Sequence, residues 1–351
     1  MMNLWNNPFW GILMWPFSLL YGHGESLRMM LYRRQILPSM RLPAKVISVG
    51  NITAGGTGKT PVVATLARLL VKKGCRVGIL SRGYGRRGKE ALVVSDGMNI
   101  LEAPRKSGDE PTLLARWLDG VPVVVGKDRA KAGQMAIDSF GCDVLILDDA
   151  FQHHRLKRDL DLVIIDSTNP WGNGRLIPAG PLREPLSRLS RADAILFSRV
   201  DQGKHLPSAM TRVRRWSEAP TLMAIHRSVE WVSMSDGRKQ QKNEFRGKSV
   251  LAFAGIGNPT SFRNTLKALG VDIREFVTFR DHHWYTDEDL SDIFSRVERL
   301  QTEAVVTTEK DSIRVPIQKT WKIPMYFLRI ECELKENGDT LESILKPVLR
   351  S

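Results

Sequence analysis

Apolar runs and segments with a helical period alternate along most of the chain. The apolar runs predict strands buried on both faces, at residues 45–51, 76–81, 121–125, 144–147, 160–166 and 194–199. The helical segments fall between them, at residues 61–73, 110–118 and 129–140. Strands that are apolar throughout are typical of a parallel sheet covered by helices on both faces. The pattern therefore predicts a doubly wound, mostly parallel α/β domain that binds its ligand at the carboxyl ends of the strands.

A polar stretch rich in Gly, Lys and Gln interrupts this alternation at residues 235–248 and predicts a hairpin or a linker. A second, smaller α/β unit is expected after it, with strands at 250–254, 304–307 and 325–330 and helices at 260–269 and 287–300. We therefore expect four parts. They are an N-terminal segment (1–40), a nucleotide-binding and catalytic domain (41–225), a linker or hairpin (226–248) and a C-terminal domain (249–351).

The N-terminal segment is strongly apolar over residues 8–21, with Trp5 just before it and several arginines after it. It is shorter than the roughly 20 apolar residues of a comfortable transmembrane helix, and Pro16 interrupts it. Tryptophans beside an apolar face, followed by basic residues, are typical of a helix lying in the membrane interface among anionic lipids. A helix packed on the protein's own core and a single membrane span stay open as alternatives.

Composition fits a folded protein of two domains, since 42% of the 351 residues are hydrophobic and 26% are charged. The net charge of +14 favours anionic partners, namely nucleic acid, lipid headgroups or phosphorylated substrates. No nucleic-acid-binding motif is recognisable, so we expect no nucleic-acid partner and see no sign of an obligate protein partner. Three widely spaced cysteines predict no disulfide framework and fit a reducing compartment.

The most informative motif is the glycine-rich run at residues 50–61, which follows a strand and precedes a helix. Such a turn brings backbone N–H groups close to phosphate, while Lys59 adds a charge and the Thr60 hydroxyl can hold Mg²⁺. The run departs from the strict P-loop pattern at Thr53 and from the dimerising ATPase variant at Ala54. A turn without a ligand is the alternative. The predicted nucleotide-binding residues are Thr53, Ala54, Gly55, Gly56, Thr57, Gly58, Lys59 and Thr60.

Acidic residues follow the predicted strands at two places. Asp148 and Asp149 end an apolar strand, where an acid of a P-loop protein helps to hold Mg²⁺ near Thr60; a helix-capping carboxylate is the alternative. Asp109 lies in a polar turn that leads into a helix. It could accept a proton from an attacking hydroxyl or could cap that helix, and the residues alone do not decide between these roles.

Histidine pairs and a long loop complete the candidate chemistry. The pairs at 153–154 and 282–283 suggest a proton relay or metal ligands, with structural histidines as the alternative, and their spacing is not diagnostic of zinc. The Gly/Pro-rich loop at 171–185 cannot continue a sheet, and loops of this length are usually functional or disordered. Its Arg175 and Arg183 are candidates for phosphate contacts, with plain surface arginines as the alternative.

The order of these motifs closely resembles that of the tetraacyldisaccharide 4′-kinase family. The matching segments are residues 49–53, 55–61, 80–85, 108–111, 148–153, 174–184, 281–283 and 307–311. The resemblance implies a kinase, dependent on ATP and Mg²⁺, at the cytoplasmic face of the inner membrane of Gram-negative bacteria. Its substrate would be an acylated glucosamine disaccharide 1-phosphate, which it would phosphorylate on the 4′-hydroxyl to give lipid IVA. The enzyme would be peripheral or monotopic.

The resemblance also implies residue roles. Lys59 and Thr60 would contact phosphate and Mg²⁺ beside Asp148 and Asp149, and Asp109 would be the catalytic base. His282, rather than His283, would support it. Further contacts to phosphate or substrate are expected from Arg82, Glu110, Gln152, His153, Arg175, Arg183 and His283. One departure from the family pattern is Ala150, where many members have glycine.

Two other classes of protein compete with this interpretation. The first is a membrane-bound GTPase or ATPase switch, because residues 197–201 faintly resemble a guanine-reading motif. The second is a non-catalytic binder of anionic lipid or nucleic acid, which would explain the charge but leave Asp109, Asp148 and Asp149 without a purpose.

Overall fold

The computed structural model describes residues 5, 7–84, 86, 88, 90–316, 323–335 and 338–349. Residues 1–4 and 6 of the predicted N-terminal segment, residue 85 of one family motif and the remaining gaps lie outside this range. In chain order the elements are α1 (Pro8–Leu13), α2 (Trp15–Arg33), β1 (Lys45–Gly50), α3 (Lys59–Lys72), β2 (Val77–Ser81), β3 (Leu92–Ser95), α4 (Pro104–Ser107), α5 (Asp109–Trp117), β4 (Val123–Val125), α6 (Arg129–Phe140), β5 (Val144–Asp148), β6 (Leu160–Asp166), a 3₁₀ turn (Leu186–Arg191), β7 (Ala194–Ser198), α7 (Leu206–Arg214), β8 (Thr221–Ser233), β9 (Lys239–Gln241), β10 (Ser249–Ala254), α8 (Pro259–Ala268), β11 (Asp272–Thr278), α9 (Asp287–Leu300), β12 (Ala304–Thr308), α10 (Glu309–Ser312), β13 (Met325–Lys335) and α11 (Gly338–Leu345).

The strands of the described residues form one 13-stranded sheet in the order β11-β10-β12-β13-β8-β7-β6-β1-β5-β2-β4-β3, with β9 paired to β8. Pairing is parallel except at β3–β4, β8–β9 and β8–β13. β1 runs between β5 and β6, with Val49 opposite Asp148 on one side and Leu162 on the other. This register brings the end of β1 and the acidic end of β5 to the same edge of the sheet.

The predicted fold class is confirmed, because each predicted strand and helix has a counterpart whose ends differ by a few residues at most, apart from β13. Strands β3, β8 and β11 were not predicted. β8 crosses residue 225, and its antiparallel pairing with β13 makes the sheet continuous across the predicted domain boundary. The polar stretch at 235–248 contains β9, which folds back on β8 as a hairpin.

Packing against the sheet explains why α3 forms where it does. Seven of its residues are buried, among them Val63, Ala67 and Leu70. These side chains join a cluster with Ile47 and Ile146 of the central strands. Burial of this apolar face fixes the helix against β1, and the start of α3 is thereby held at the end of that strand.

The N-terminal segment forms two helices rather than one. Helix α1 ends at Leu13, and Pro16 lies in the first turn of α2, where proline is tolerated. One side of α2 packs on the protein through Ser18 and Met29, while a row of large apolar side chains on both helices stays exposed. No helix in the described part of the chain is both long and apolar enough to cross a membrane.

Candidate active site

The glycine-rich loop leads directly into α3. Gly58, with φ of 80°, is the N-cap of the helix and has a left-handed backbone that favours glycine. No side chain of the described residues caps this helix start. Its first N–H groups therefore remain available for an anion, and the helix dipole adds positive potential there.

Two other segments hold the glycine-rich loop in place. The backbone N–H of Ala54 donates to the Pro181 carbonyl at 2.7 Å, so the 171–185 loop supports one side. On the other side, the Ser198 hydroxyl donates to the Thr57 carbonyl at 2.9 Å and Arg199 donates to the Gly56 carbonyl at 3.1 Å. Ser198 and Arg199 belong to the segment that resembled a guanine-reading motif, and in this structure both contact the loop backbone.

Lys59 and Asp149 form an ion pair at the start of α3. The Lys59 Nζ lies 3.3 Å from Asp149 Oδ1 and donates to Asn51 Oδ1 at 3.2 Å. The Arg183 guanidinium also donates to Asp149, at 2.8 and 3.0 Å. Burial opposes ionisation of Asp149, but Lys59 and Arg183 outweigh it and hold the pKa of this carboxyl well below its usual range. Asp149 is thus a fixed anion that orients two cations.

Asp148 has a different environment from its neighbour. Its side chain is buried, and neither carboxylate oxygen has a hydrogen-bond partner among the described residues. Burial, together with the nearby charges of Glu110 and Asp149, raises the pKa of Asp148 to about 7. It caps no helix, because a turn follows it. An unsatisfied buried carboxylate within electrostatic reach of Lys59, the first residue of α3, fits a cation ligand.

This donor set fits Mg²⁺ better than a closed structural metal site. No cluster of three or more His, Cys, Asp or Glu side chains among the described residues could hold a metal ion. Mg²⁺ is usually bound by one or two carboxylates, with waters and substrate phosphates completing the octahedron. Asp148, Asp149 and Thr60 match that pattern, whereas zinc requires more protein ligands.

Asp109 pairs with His282 from the C-terminal unit. The His282 Nδ1 lies 2.9 Å from Asp109 Oδ2, while Asp109 Oδ1 accepts the Glu110 backbone N–H at 3.0 Å. Gly108 is the N-cap of α5 and Asp109 is its first residue, so Asp109 is not the N-cap. The geometry thus distinguishes His282 from His283, and His282 is the one that the fold brings to Asp109.

Two cations, the partly buried Lys310 and the buried Arg314, complete the surroundings of Asp109. Lys310 Nζ lies 3.8 Å from Asp109 Oδ2 and 2.9 Å from Glu110 Oε1, and Arg314 Nε lies 3.7 Å from Asp109 Oδ2. Burial alone would raise the pKa of Asp109, but Lys310, His282 and Arg314 together hold that pKa well below its usual range. Neither cation was among the predicted site residues, although Lys310 lies within the matching motif at 307–311. The lysine of that motif was the available signal.

The other predicted contact residues are distributed around this centre. His283 turns away from Asp109. It bonds Asp289, in the first turn of α9, at 2.8 Å, and its ring stacks on Phe279. Gln152 donates to the Asn51 carbonyl at 2.9 Å, beneath the glycine-rich loop. His153 lies in the turn after β5, and burial together with Arg129 and Arg158 lowers its pKa to about 4, so it is neutral at pH 7.

The remaining arginines occupy different positions. Arg82 is exposed just beyond the end of β2. The Arg175 guanidinium lies against α1, where a Cβ on Gly11 would come within 2.7 Å of it. Arg183 is the arginine that the fold brings to the Lys59–Asp149 pair.

The C-terminal unit also contacts the glycine-rich loop. A Cβ on Gly257 would lie 2.4 Å from the Gly56 backbone nitrogen, so only glycine fits at this contact. Next to it, the Asn258 amide donates to Thr168 at 3.2 Å, just beyond β6. The loop, the acidic pair and the Asp109–His282 pair are therefore assembled by residues from both units.

Comparison with known proteins identifies the family. A family model described as tetraacyldisaccharide-1-P 4′-kinase matches residues 10–350. The chain belongs to the tetraacyldisaccharide 4′-kinase family. A relative named tetraacyldisaccharide 4′-kinase from Syntrophus aciditrophicus is 45% identical, over 94% of this chain and 90% of the relative. One of the same name from Pelobacter propionicus is 42% identical, over 86% of this chain and 82% of the relative.

A solved member of the family has the same fold. It is LpxK from Aquifex aeolicus, crystallised in complex with ATP, and it aligns with a TM-score of 0.77 and 34% identity over 97% of this chain and 99% of the other. The predicted resemblance and the predicted enzyme class are thus confirmed, and the chain is a kinase. Family membership rules against both rival classes, the nucleotide switch and the non-catalytic binder.

Proposed function

We propose that this chain transfers the γ-phosphoryl group of ATP to the 4′-hydroxyl of a tetraacyldisaccharide 1-phosphate, giving lipid IVA. The observation that carries the proposal is the convergence of three groups at one edge of the sheet. They are the uncapped start of α3, the unsatisfied carboxylate of Asp148 and the Asp109–His282 pair. A phosphate cradle, a metal ligand and a proton acceptor are the parts that phosphoryl transfer requires.

The nucleotide would be held by the loop from Thr53 to Thr60. Backbone N–H groups at the start of α3 and the Lys59 ammonium group would bind phosphate oxygens. Asp148 and the Thr60 hydroxyl would hold Mg²⁺, with Asp149 beside them keeping Lys59 and Arg183 oriented. When bound, Mg·ATP supplies the phosphoryl group and the charge neutralisation that its transfer needs.

Asp109 would accept the proton of the attacking 4′-hydroxyl. Its low pKa makes it a weak base, which suits a reaction whose proton moves late, as the phosphoryl group becomes bonded to the acceptor oxygen. His282, whose Nδ1 is bonded to Asp109 Oδ2, would hold this carboxylate in the orientation that accepts the proton. Lys310 and Arg314 keep Asp109 ionised, ready to accept, at neutral pH.

An acylated substrate requires an apolar approach to this site, and the N-terminal helices can supply it. Phe9, Ile12, Leu13 and Leu20 on α1 and α2 are exposed by more than half of their surface. Beside these helices lies a groove of about 350 Å³, lined by Leu176, Leu182 and Leu186 together with Arg212 and Trp216. A groove lined by both leucines and arginine suits acyl chains that carry an anionic headgroup.

The exposed apolar face would lie in the membrane interface, at the cytoplasmic side of the inner membrane where ATP is available. Arg28, Arg33 and Arg34 follow it, and cationic side chains in that position attract anionic lipid headgroups. Because the opposite side of α2 packs on the protein, the segment would serve both as a core-packed helix and as an interfacial one.

Transfer of radiolabel tests the proposed reaction. The full chain is incubated with γ-labelled ATP, Mg²⁺ and the tetraacyldisaccharide 1-phosphate in mixed micelles, and label is followed into the lipid. We expect label on the lipid with ATP and none when the acceptor lacks a free 4′-hydroxyl. Release of free phosphate without labelled lipid would instead indicate a hydrolase, and absence of both would overturn the proposal.

A further inference from the structure

Two lines of direct contacts connect the interfacial helix α2 to Lys59. In the first, the Tyr21 hydroxyl donates to the Arg183 carbonyl at 3.0 Å. The Arg183 guanidinium donates to Asp149 at 2.8 Å, and Asp149 pairs with Lys59 at 3.3 Å. Each link is a short contact between groups that are at least partly buried, so no gap interrupts the line.

The second line reaches Lys59 from its other side. Arg28 Nη2 donates to the Gln152 carbonyl at 3.0 Å, and the Gln152 side-chain amide donates to the Asn51 carbonyl at 2.9 Å. The Asn51 side-chain oxygen accepts from Lys59 Nζ at 3.2 Å. Asn51 is fully buried, and Glu25 holds the Arg28 guanidinium in place at 3.3 Å.

The two lines end on the same atom, the Lys59 Nζ. Its ammonium group is held by one partner from each line, Asp149 and Asn51. A flexible lysine side chain needs such supports to keep one orientation, because its rotamer freedom is large. Both supports are in turn fixed by residues of α2, which is 19 residues long and packed on the catalytic unit.

We propose that Tyr21 and Arg28 are positioning residues that hold Lys59 for the nucleotide phosphates. The inference rests on the proposed function of Lys59 as a phosphate ligand. It gives α2 a role in the catalytic site in addition to its place at the membrane interface. Displacements of about 1 Å in a catalytic group can cost large factors in rate, so modest loosening of Lys59 should be measurable.

The test uses the full chain and removes one link at a time. Tyr21→Phe deletes only the hydroxyl, and Arg28→Met keeps the apolar stem but deletes the guanidinium. Ser18→Ala is the matched control on the same helix. Ser18 is buried, donates to the Leu176 carbonyl at 2.9 Å and accepts from the Ala179 N–H at 3.0 Å, yet it belongs to neither line.

The dissociation constant for Mg·ATP is measured by direct binding, which does not depend on transfer to lipid. We expect about a fivefold weakening in Tyr21→Phe and in Arg28→Met, which corresponds to about 1 kcal/mol. Ser18→Ala should leave this dissociation constant unchanged. It should lower the melting temperature at least as much as Tyr21→Phe and Arg28→Met do. Partition onto anionic vesicles should be the same in Tyr21→Phe and Ser18→Ala, and weaker in Arg28→Met, which removes one cationic side chain near the interface.

A double-mutant cycle with Lys59→Met decides whether the effect passes through Lys59. In the Lys59→Met background, Tyr21→Phe and Arg28→Met should have no further effect on nucleotide affinity. If the fivefold effect persists there, or if Ser18→Ala weakens ATP binding equally, the proposal is wrong. A wild-type chain that binds ATP but labels no lipid would overturn the proposed function while leaving this cycle interpretable.

Discussion

The Nδ1 atom of His282 lies 2.9 Å from Oδ2 of Asp109, although 173 residues separate them in the chain. Asp109 begins α5, and His282 lies in the segment between β11 and α9. The backbone of His282 has φ of 61°, a conformation that non-glycine residues rarely adopt, so the surrounding structure must hold it there. Both sides of the pair are thus fixed by the fold rather than by local sequence.

Replacing Asp109 with Asn should lower kcat by about 10²–10⁴-fold while changing ATP affinity little, because it removes the proton acceptor and keeps the side-chain shape. Steady-state kinetics on the acylated acceptor and direct ATP binding measure the two effects separately. Unfolding should be recorded in parallel, since Lys310 and Arg314 lose the charge that they face. A variant with weakened ATP binding and normal kcat would contradict the assignment of Asp109 as the base.

Replacing His282 and His283 one at a time should have different effects on kcat. His282→Gln should reduce kcat, because Asp109 loses the side chain that orients it. His283→Gln should leave kcat nearly unchanged but reduce stability by about 1 kcal/mol, since it loses its bond to Asp289. Kinetics and thermal unfolding of the two variants form an internal control for each other. Equal losses of kcat in the two variants would show that the contact between His282 and Asp109 is not what supports catalysis.

Replacing Asp148 with Asn should stabilise the protein in the absence of Mg²⁺ and abolish most of its activity. The raised pKa means that folded Asp148 keeps its proton at a pH where the unfolded chain has lost it. The contribution of Asp148 to the free energy of unfolding therefore falls as the pH rises from about 4 to about 7. The asparagine side chain cannot ionise, so this decline should be smaller in Asp148→Asn. Denaturation in EDTA across this pH range measures it, and an unchanged slope in the variant would refute the explanation.

Replacing Ile12, Leu13 and Leu20 together with Ser should weaken binding to anionic vesicles by about 100-fold. Each exposed side chain is expected to contribute about 1 kcal/mol on entering the interface. The matched control replaces Met98, Ile100 and Leu101, which are exposed apolar residues of the 97–101 loop. Cosedimentation with vesicles measures both triple variants. Similar losses in the two would mean that general surface apolarity, rather than α1 and α2, drives binding.

The sequence predicted the central half of the fold well because its signals were local and strong. The buried run of β1, the glycines after it and the amphipathic α3 point to the same structure at every level. Strand β8 was missed because polar residues such as His226 and Arg227 interrupt its apolar pattern, and it is buried mainly through β7 and β13. Pro16 was predicted to interrupt the N-terminal segment, and the segment is divided there into α1 and α2, with Pro16 in the first turn of α2.

Site residues were predictable from the sequence where they belong to a recognisable motif. They were not predictable where only the folded chain brings them together. Asp109, Asp148, Asp149 and Lys59 stood out by their positions at strand or helix ends. Arg314 and Lys310 did not, because their partner lies about 200 residues earlier, and only the folded chain brings these charges together. The different environments of Asp148 and Asp149 likewise depend on burial and neighbouring cations. The sequence, which shows only two adjacent aspartates, does not reveal them.

The pairing of β8 with β13 has a practical consequence for work on either unit alone. The two strands are hydrogen-bonded from Ser233 opposite Tyr326 to Met223 opposite Lys335. A fragment ending at the predicted boundary near residue 225 would lose most of β8, and a fragment starting at 249 would leave β13 without its antiparallel partner. Each would present unpaired backbone donors and acceptors to other chains. Expression of isolated halves should therefore yield aggregation-prone material, and binding studies belong on the intact chain.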